Sequence, residues 1–220
     1  MDWLPRTRRV SAEEDGPKTA EEPDFPPLVR AAPGVTAMFA GLKEDRSRAV
    51  LDLGPGRGSH LRLYSRFARW IRFVGLLGET PHGKVLRAAL EALPPLSQRP
   101  YDLVLCWDLL DRLKPVERPL LVKRLAQLTA PSARLFLIVD VSGEITAPPL
   151  RFTLLEGAHQ VCQEPCGRPR RTQLPIGPEE VERLLSPFEV VYSFTPSQGL
   201  REYLAMKGRG RKGIRRSKVS

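Results

Sequence analysis

Apolar residues recur along this chain in two periods, and the change from one to the other marks out its elements. From Pro27 to Leu42 they fall at three- and four-residue steps (Leu28, Val29, Ala32, Val35, Met38, Phe39, Leu42). That spacing predicts an amphipathic helix interrupted near Pro33-Gly34. Ala49–Asp52 is short and mostly apolar, as a buried parallel strand is. Gly54, Gly56 and Gly58 then alternate, and helix-compatible residues resume at Ser59. Leu61, Leu63, Tyr64, Phe67, Ala68 and Trp70 make the apolar face of the next predicted helix, with Arg62, Arg66 and Arg69 on its wet face. Ile71–Leu77 reads as a strand and Lys84–Leu93 as a helix by propensity.

The second half is sharper. Tyr101–Asp108 is a strand ending at Cys106–Asp108, Pro115–Leu128 a helix, Ala130–Ala133 a turn, and Arg134–Val141 a strongly apolar, central strand. Residues 142–177 break the rhythm with several prolines, His159, Cys162, Cys166 and Arg168, Arg170 and Arg171. Gly177–Leu185 opens a helix with Pro at its first position and acids in its first turn. Phe188–Phe194 and Leu200–Met206 are strands joined through Pro196–Gly199, a closing hairpin.

Strands alternating with helices predict an α/β fold with a mostly parallel sheet. A strand that turns through glycines into a helix makes a cradle for a ligand. Glycine admits a left-handed backbone and the close approach of a ligand, and the helix start presents unpaired N–H groups and a positive dipole end. The third glycine of a dinucleotide fingerprint is missing, since Ser59 stands where it would be, and no phosphate-binding G-x-x-x-x-G-K-[ST] is present.

Composition bounds the rest. The 220 residues suffice for one domain with a sizeable core plus tails. Residues 1–25 are charged, proline-dotted and poor in apolar side chains, and read as disordered or loosely docked. No stretch reaches the roughly 18 apolar residues of a membrane span, and the N-terminus lacks a signal-peptide core, so no membrane and a cytoplasmic location are expected. Three cysteines fit a reducing compartment. His159-x-x-Cys162-x-x-x-Cys166 is not a standard zinc spacing, and no metal is assigned to it. The net charge of +10 is concentrated in residues 207–220, which carry seven Lys or Arg and no acid. Such a tail suits a phosphate backbone, which makes RNA a candidate partner, or serves only as a solubilising extension.

The D-x-G-x-G-x-G pattern of Asp52, Gly54, Gly56 and Gly58 resembles the first motif of class I S-adenosylmethionine-dependent methyltransferases. Tyr101–Val141 resembles the fourth-to-fifth-strand unit of that family, and the closing hairpin its sixth and seventh strands. The resemblance implies a three-layer α/β/α fold over residues 26–206: a doubly wound, mostly parallel sheet with a C-terminal antiparallel hairpin. Residues 142–177 would be an insertion near the substrate side. It implies S-adenosylmethionine as cofactor, with Asp52, Gly54, Pro55, Gly56 and Gly58 around its methionine end and Asp108 nearby. The family's ribose-binding acid is replaced by Gly75, Leu76 and Leu77, leaving Glu79 as the local substitute. Its adenine-contacting Asp is replaced by Ala89. The span between the second strand and Tyr101 is too short for a full crossover, so a helix or a strand is missing there.

Methyl transfer would rest mainly on proximity and orientation. Asp108, Asp111 and His60 are the candidate general bases, with helix capping the competing role for the two acids. The acceptor, a small molecule, RNA or protein, is not specified by the sequence, and neither is the oligomeric state. The main rival is a catalytically inactive, methyltransferase-derived scaffold that binds RNA or a ribonucleoprotein. A dehydrogenase-like domain is opposed by the glycine spacing and the last hairpin.

Overall fold

A computed structural model describes residues 26–76, 84–96, 99–141, 150–155, 159–165, 176–195 and 199–208. The elements are β1 (Leu28–Ala31), α1 (Pro33–Phe39), β2 (Arg48–Asp52), α2 (Gly58–Phe67), β3 (Ala68–Phe73), α3 (Val85–Ala92), β4 (Tyr101–Leu105), a 3-10 turn at Leu109–Arg112, and α4 (Arg118–Leu128). They continue with β5 (Thr129–Asp140), β6 (Leu150–Leu154), β7 (Gln160–Pro165), α5 (Pro178–Leu184), β8 (Phe188–Phe194) and β9 (Leu200–Lys207). The main sheet has the order β3-β2-β4-β5-β9-β8. Its first four strands are parallel, and β9 runs antiparallel between β5 and β8. This is the doubly wound sheet with an antiparallel closing hairpin that the sequence predicts. Among the described residues a helix, α3, and no strand lies between β3 and β4. The shortened crossover has therefore kept its helix.

The strands that carry the site are apolar on both sides because both faces of the sheet are covered. On one face Ala49, Leu51, Val104, Leu135, Leu137, Val139 and Tyr203 pack with α3, α4 and α5 through Ala89, Leu121, Leu125 and Val181. On the other Val50, Leu103, Leu105, Phe136, Ile138 and Leu204 pack with α1 and α2 through Val35, Met38, Leu63, Tyr64 and Phe67. Phe152, Leu154 and Val161 of a second, three-stranded antiparallel sheet, ordered β1-β7-β6, join this second cluster.

Four expectations change. The predicted first helix is a strand followed by a helix: Leu28–Ala31 pairs with Gln160–Gln163 of β7, and Pro33 then starts α1. The second helix stops at Phe67, so Ala68 and Trp70 belong to β3, where Trp70 is half exposed. Ala130–Ala133 is not a separate turn but the start of β5, with Ser132 at φ +64 where the register against β4 shifts. Lys207 belongs to β9 rather than to the tail. Its Nζ donates to Ala126 O at 2.5 Å and Thr129 O at 2.7 Å, a cation placed at the C-terminal end of α4, where the Ala126 carbonyl also accepts the Thr129 hydroxyl. The N-terminal segment 1–25 and the basic residues beyond Gly208 lie outside the described residues.

One buried cluster ties the two sheets together. Arg30 of β1 pairs with Glu202 of β9, and its Nε donates to Gln163 Oε1 of β7 at 3.0 Å. Glu202, fully buried, also accepts the Gly34 N–H at 2.7 Å. A buried ion pair is costly unless hydrogen bonds meet its remaining valences; here a glutamine and a helix-start amide meet two of them, while Arg30 Nη2 has no partner among the described residues. Gly34 is required by space: a Cβ there would lie 2.8 Å from both Glu202 Oε2 and Phe136 Cε2. Neither neighbour is free to yield, so Gly34→Ala is expected to cost roughly 1–3 kcal/mol, as overpacking does. Urea unfolding followed by circular dichroism measures it. A midpoint equal to wild type would show that the cluster yields.

Candidate functional site

Parallel strands deliver their C-terminal ends to one edge of the sheet, and ligands of open α/β folds bind there. Asp52 ends β2 at that edge and is completely buried. Its carboxylate accepts four hydrogen bonds: Oδ1 from Gly54 N (2.8 Å) and Trp107 Nε1 (2.6 Å), Oδ2 from Tyr64 OH (2.8 Å) and His60 Nδ1 (3.0 Å). Hydrogen bonds to a charged group are worth about 1.5–3 kcal/mol each, enough to hold a carboxylate out of water. Burial, with the Asp52 charge second, pushes the Tyr64 hydroxyl well above its ordinary range and keeps it a donor.

His60 is fixed from both sides. Its Nε2 receives the backbone N–H of Leu154 at 2.9 Å, so that nitrogen carries the lone pair and the ring proton sits on Nδ1, aimed at Asp52. This departs from the general-base role read in the sequence. The side chain is fully buried and both nitrogens are engaged, so it links α2 to β6 instead.

Trp107 follows β4 in a left-handed conformation, φ +53, a strained geometry for a bulky residue that costs roughly 1–3 kcal/mol. The twist turns the indole back onto Asp52. There it stacks between His60 (centroids 5.6 Å apart, planes at 25°) and Phe152 (5.3 Å, 7°). A Cβ on Gly54 would lie 2.9 Å from the indole nitrogen. Gly54 thus makes room for Trp107, and none of the three loop glycines adopts positive φ. Asp52 and Gly54, expected to contact a cofactor, are occupied by the protein itself.

The rest of the loop is open. A Cβ on Gly56 would meet Phe73 only at an ordinary 3.5 Å, and one on Gly58 only Arg62 at 3.7 Å. α2 has no side-chain cap and no acid in its first turn. Its first amides, at Gly58, Ser59 and His60, have no intrahelical acceptor. The Ser59 hydroxyl and Arg57 Nε are buried and without hydrogen-bond partners among the described residues. Such groups at a helix N-terminus fit an anionic ligand group. Glu79 lies outside the described residues. Ala89 is a core residue of α3 facing the helical layer.

Asp108 and Asp111 stand past β4, both nearly buried. Asp108 makes no capping hydrogen bond. Its Oδ2 takes Arg112 Nη2 at 2.6 Å and Nε at 3.1 Å, and its Oδ1 has no partner among the described residues. Asp111 Oδ2 accepts the Asp140 N–H at 2.8 Å. Burial, then the charges of Asp108 and Asp140, push its carboxyl up to about 8. Burial also raises the Cys106 thiol, leaving it inert. Sequence reading missed Tyr64, Trp107 and Ser59 as site residues. The signal for the first was the four-residue step from His60 to Tyr64, which puts two polar ring groups on the buried stripe of one helix.

No protein-family profile matches the chain, and no curated protein does either. Solved structures with a similar arrangement do exist. Three of them are methyltransferases. A Burkholderia thailandensis 1,6-didemethyltoxoflavin-N1-methyltransferase, with 1,6-didemethyltoxoflavin and S-adenosylhomocysteine bound, is 21% identical, aligns over 80% of this chain and 77% of its own, and has a TM-score of 0.45. A Mesorhizobium loti S-adenosylmethionine-dependent methyltransferase is 15% identical over 78% and 96%, with a TM-score of 0.46. The glycopeptide N-methyltransferase MtfA with sinefungin is 17% identical over 81% and 94%, with a TM-score of 0.45.

Two outcomes follow from this geometry. Tyr64→Phe removes one donor from a buried carboxylate and should lower stability by about 1.5–3 kcal/mol in urea unfolding. An unchanged midpoint would show that the carboxylate finds a replacement. Asp111, with its native value near 8 against an ordinary 3.8, holds a proton that the unfolded chain releases. Its contribution to stability is therefore full below the ordinary carboxyl range and is lost as pH rises toward about 8. Asp111→Asn should flatten the fall in melting temperature between those limits. An identical slope in the variant would assign it to other groups.

Proposed function

We propose that this chain is an S-adenosylmethionine-dependent methyltransferase, a divergent class I member. The observation that carries the reading is the uncapped start of α2 beside Gly56 and Gly58, with the Ser59 hydroxyl buried and unpartnered at the ligand-binding edge of the sheet. The residues fit the methionine end of the cofactor. Its carboxylate suits the free amides of α2, the Ser59 hydroxyl and Arg57, while Pro55 and Gly56 border it without crowding. When bound, the cofactor supplies a sulfonium methyl group. Asp52 acts one layer below, holding the loop through Gly54 rather than touching the ligand. Asp108 is the acid available to receive a proton from the acceptor, with Asp111, which already holds its proton, beside it past the end of β4 on the edge where this fold does its chemistry.

Calorimetric titration of S-adenosylmethionine and S-adenosylhomocysteine tests the reading. Micromolar binding is expected, abolished by Gly56→Arg and weakened roughly three- to tenfold by Ser59→Ala, the worth of one hydrogen bond. No heat up to millimolar ligand in the full chain would reject it.

One observation favours a second reading, a catalytically inactive scaffold that binds RNA through its basic tail. The space over Gly54 is filled by Trp107, so the cradle is narrower than its glycines suggest. Removing residues 209–220 spares Lys207 and its role in the fold. Under this reading truncation abolishes salt-sensitive RNA binding, and RNA binding that survives truncation rejects the tail as the contact.

A further inference from the structure

Trp70 and the arginines on either side of it stand on a strand edge that the rest of the fold leaves open. We propose that the outer edge of β3 binds a single-stranded polynucleotide, with a base stacked on Trp70 and phosphates on Arg69 and Arg72. This surface does not depend on the methyltransferase reading or on the basic tail.

β3 ends the main sheet. It pairs with β2 on one side, and among the described residues no strand lies on the other. The shortened crossover to β4 supplies α3 but, among the described residues, no strand to pair there. An open edge presents a row of unpaired N–H and C=O groups. Register then places the side chains. Trp70 lies beside Ala49 and Arg72 beside Leu51, so both stand on the sheet face that carries α3, about 7 Å apart along the strand. Arg69 stands on the opposite face of the same edge. All three are exposed, Trp70 by 54%. Arg72 is close enough to Tyr101 of β4 for its charge to oppose the rise that burial gives that hydroxyl.

The charge on this edge is uncompensated. Neither Arg69 nor Arg72 has an acidic partner among the described residues. The acids nearby are engaged elsewhere: Glu44 pairs with Arg66, and Asp102 takes Arg48 at 3.6 Å and the Ala49 N–H at 2.9 Å. Charges alone would serve to keep an edge strand from pairing. An indole between them works against that role, because aromatic side chains favour strand pairing. A second copy of β3 would bring arginine against arginine. A polynucleotide meets both features at once: every base offers a flat face to the ring, and the phosphates offer anions to the guanidinium groups. Such contacts read neither base edges nor the sugar hydroxyl, so they tolerate any sequence and either RNA or DNA.

Fluorescence anisotropy of short labelled oligouridine and oligothymidine, titrated with the full chain over a salt series, tests this. Both should bind. Trp70→Ala should weaken binding roughly five- to hundredfold, the worth of one stacked base. Trp70→Phe should keep most of the affinity. Replacing Arg69 and Arg72 together by Gln should lower the logarithmic salt slope by about 0.7 for each arginine. The tail is intact in every variant, so its contribution cancels. Melting temperatures check the fold, and should Trp70→Ala lower its own, the arginine pair, whose side chains are exposed, decides. Binding indifferent to Trp70→Ala, equal losses in Trp70→Ala and Trp70→Phe, or an unchanged salt slope overturns the proposal. Displacement of the oligonucleotide by poly-glutamate of matched charge assigns the edge to an acidic peptide and overturns it too.

Discussion

A carboxylate sealed inside a protein must be surrounded by donors, and Asp52 draws its four from three directions: Gly54 of its own loop, His60 and Tyr64 of α2, and Trp107 after β4. Removing the charge from water has a cost of several kcal/mol that only this full set offsets. The same bonds therefore fix the pitch of α2 against β2, the turn of the loop, and the strained backbone that returns Trp107 over the strand ends. Through the far nitrogen of His60 the constraint continues to Leu154, which docks β6 and with it the second sheet. The Arg30–Glu202 pair closes that sheet's other side.

Much of this architecture is legible in the sequence because it is local. Buried parallel strands show as short apolar runs, the glycine loop as three alternating glycines, α5 by its proline and acids, and the hairpin by its two apolar runs. What is hidden depends on partners distant along the chain. Leu28–Ala31 has helix-compatible spacing and becomes a strand because β7, more than a hundred residues away, supplies its hydrogen bonds. Tyr64 and Trp107 look like core aromatics, and are; only the fold shows that each also spends its polar atom on Asp52.

The three glycines divide between two tasks. Gly54 is small for the sake of the indole nitrogen, while Gly56 and Gly58 leave space at the start of α2. A motif of the same letters therefore does partly structural work here, and the motif alone does not reveal the division. Asp52 shows the same thing: the most motif-like acid of the chain has every lone pair engaged within the protein.

The acids past β4 behave differently. Asp52 is buried and saturated, whereas Asp108 is nearly as buried with one oxygen unmet, and Asp111 beside it holds a proton near neutrality. A fold that can supply four donors to one carboxylate can supply one more to another. A structural carboxylate gains stability from complete pairing, while a carboxylate that binds and releases a ligand must keep a valence for it. On that criterion the organising acid of the sequence belongs to the framework. Asp108, past β4 at the edge of the sheet, is the acid left with an oxygen unmet among the described residues.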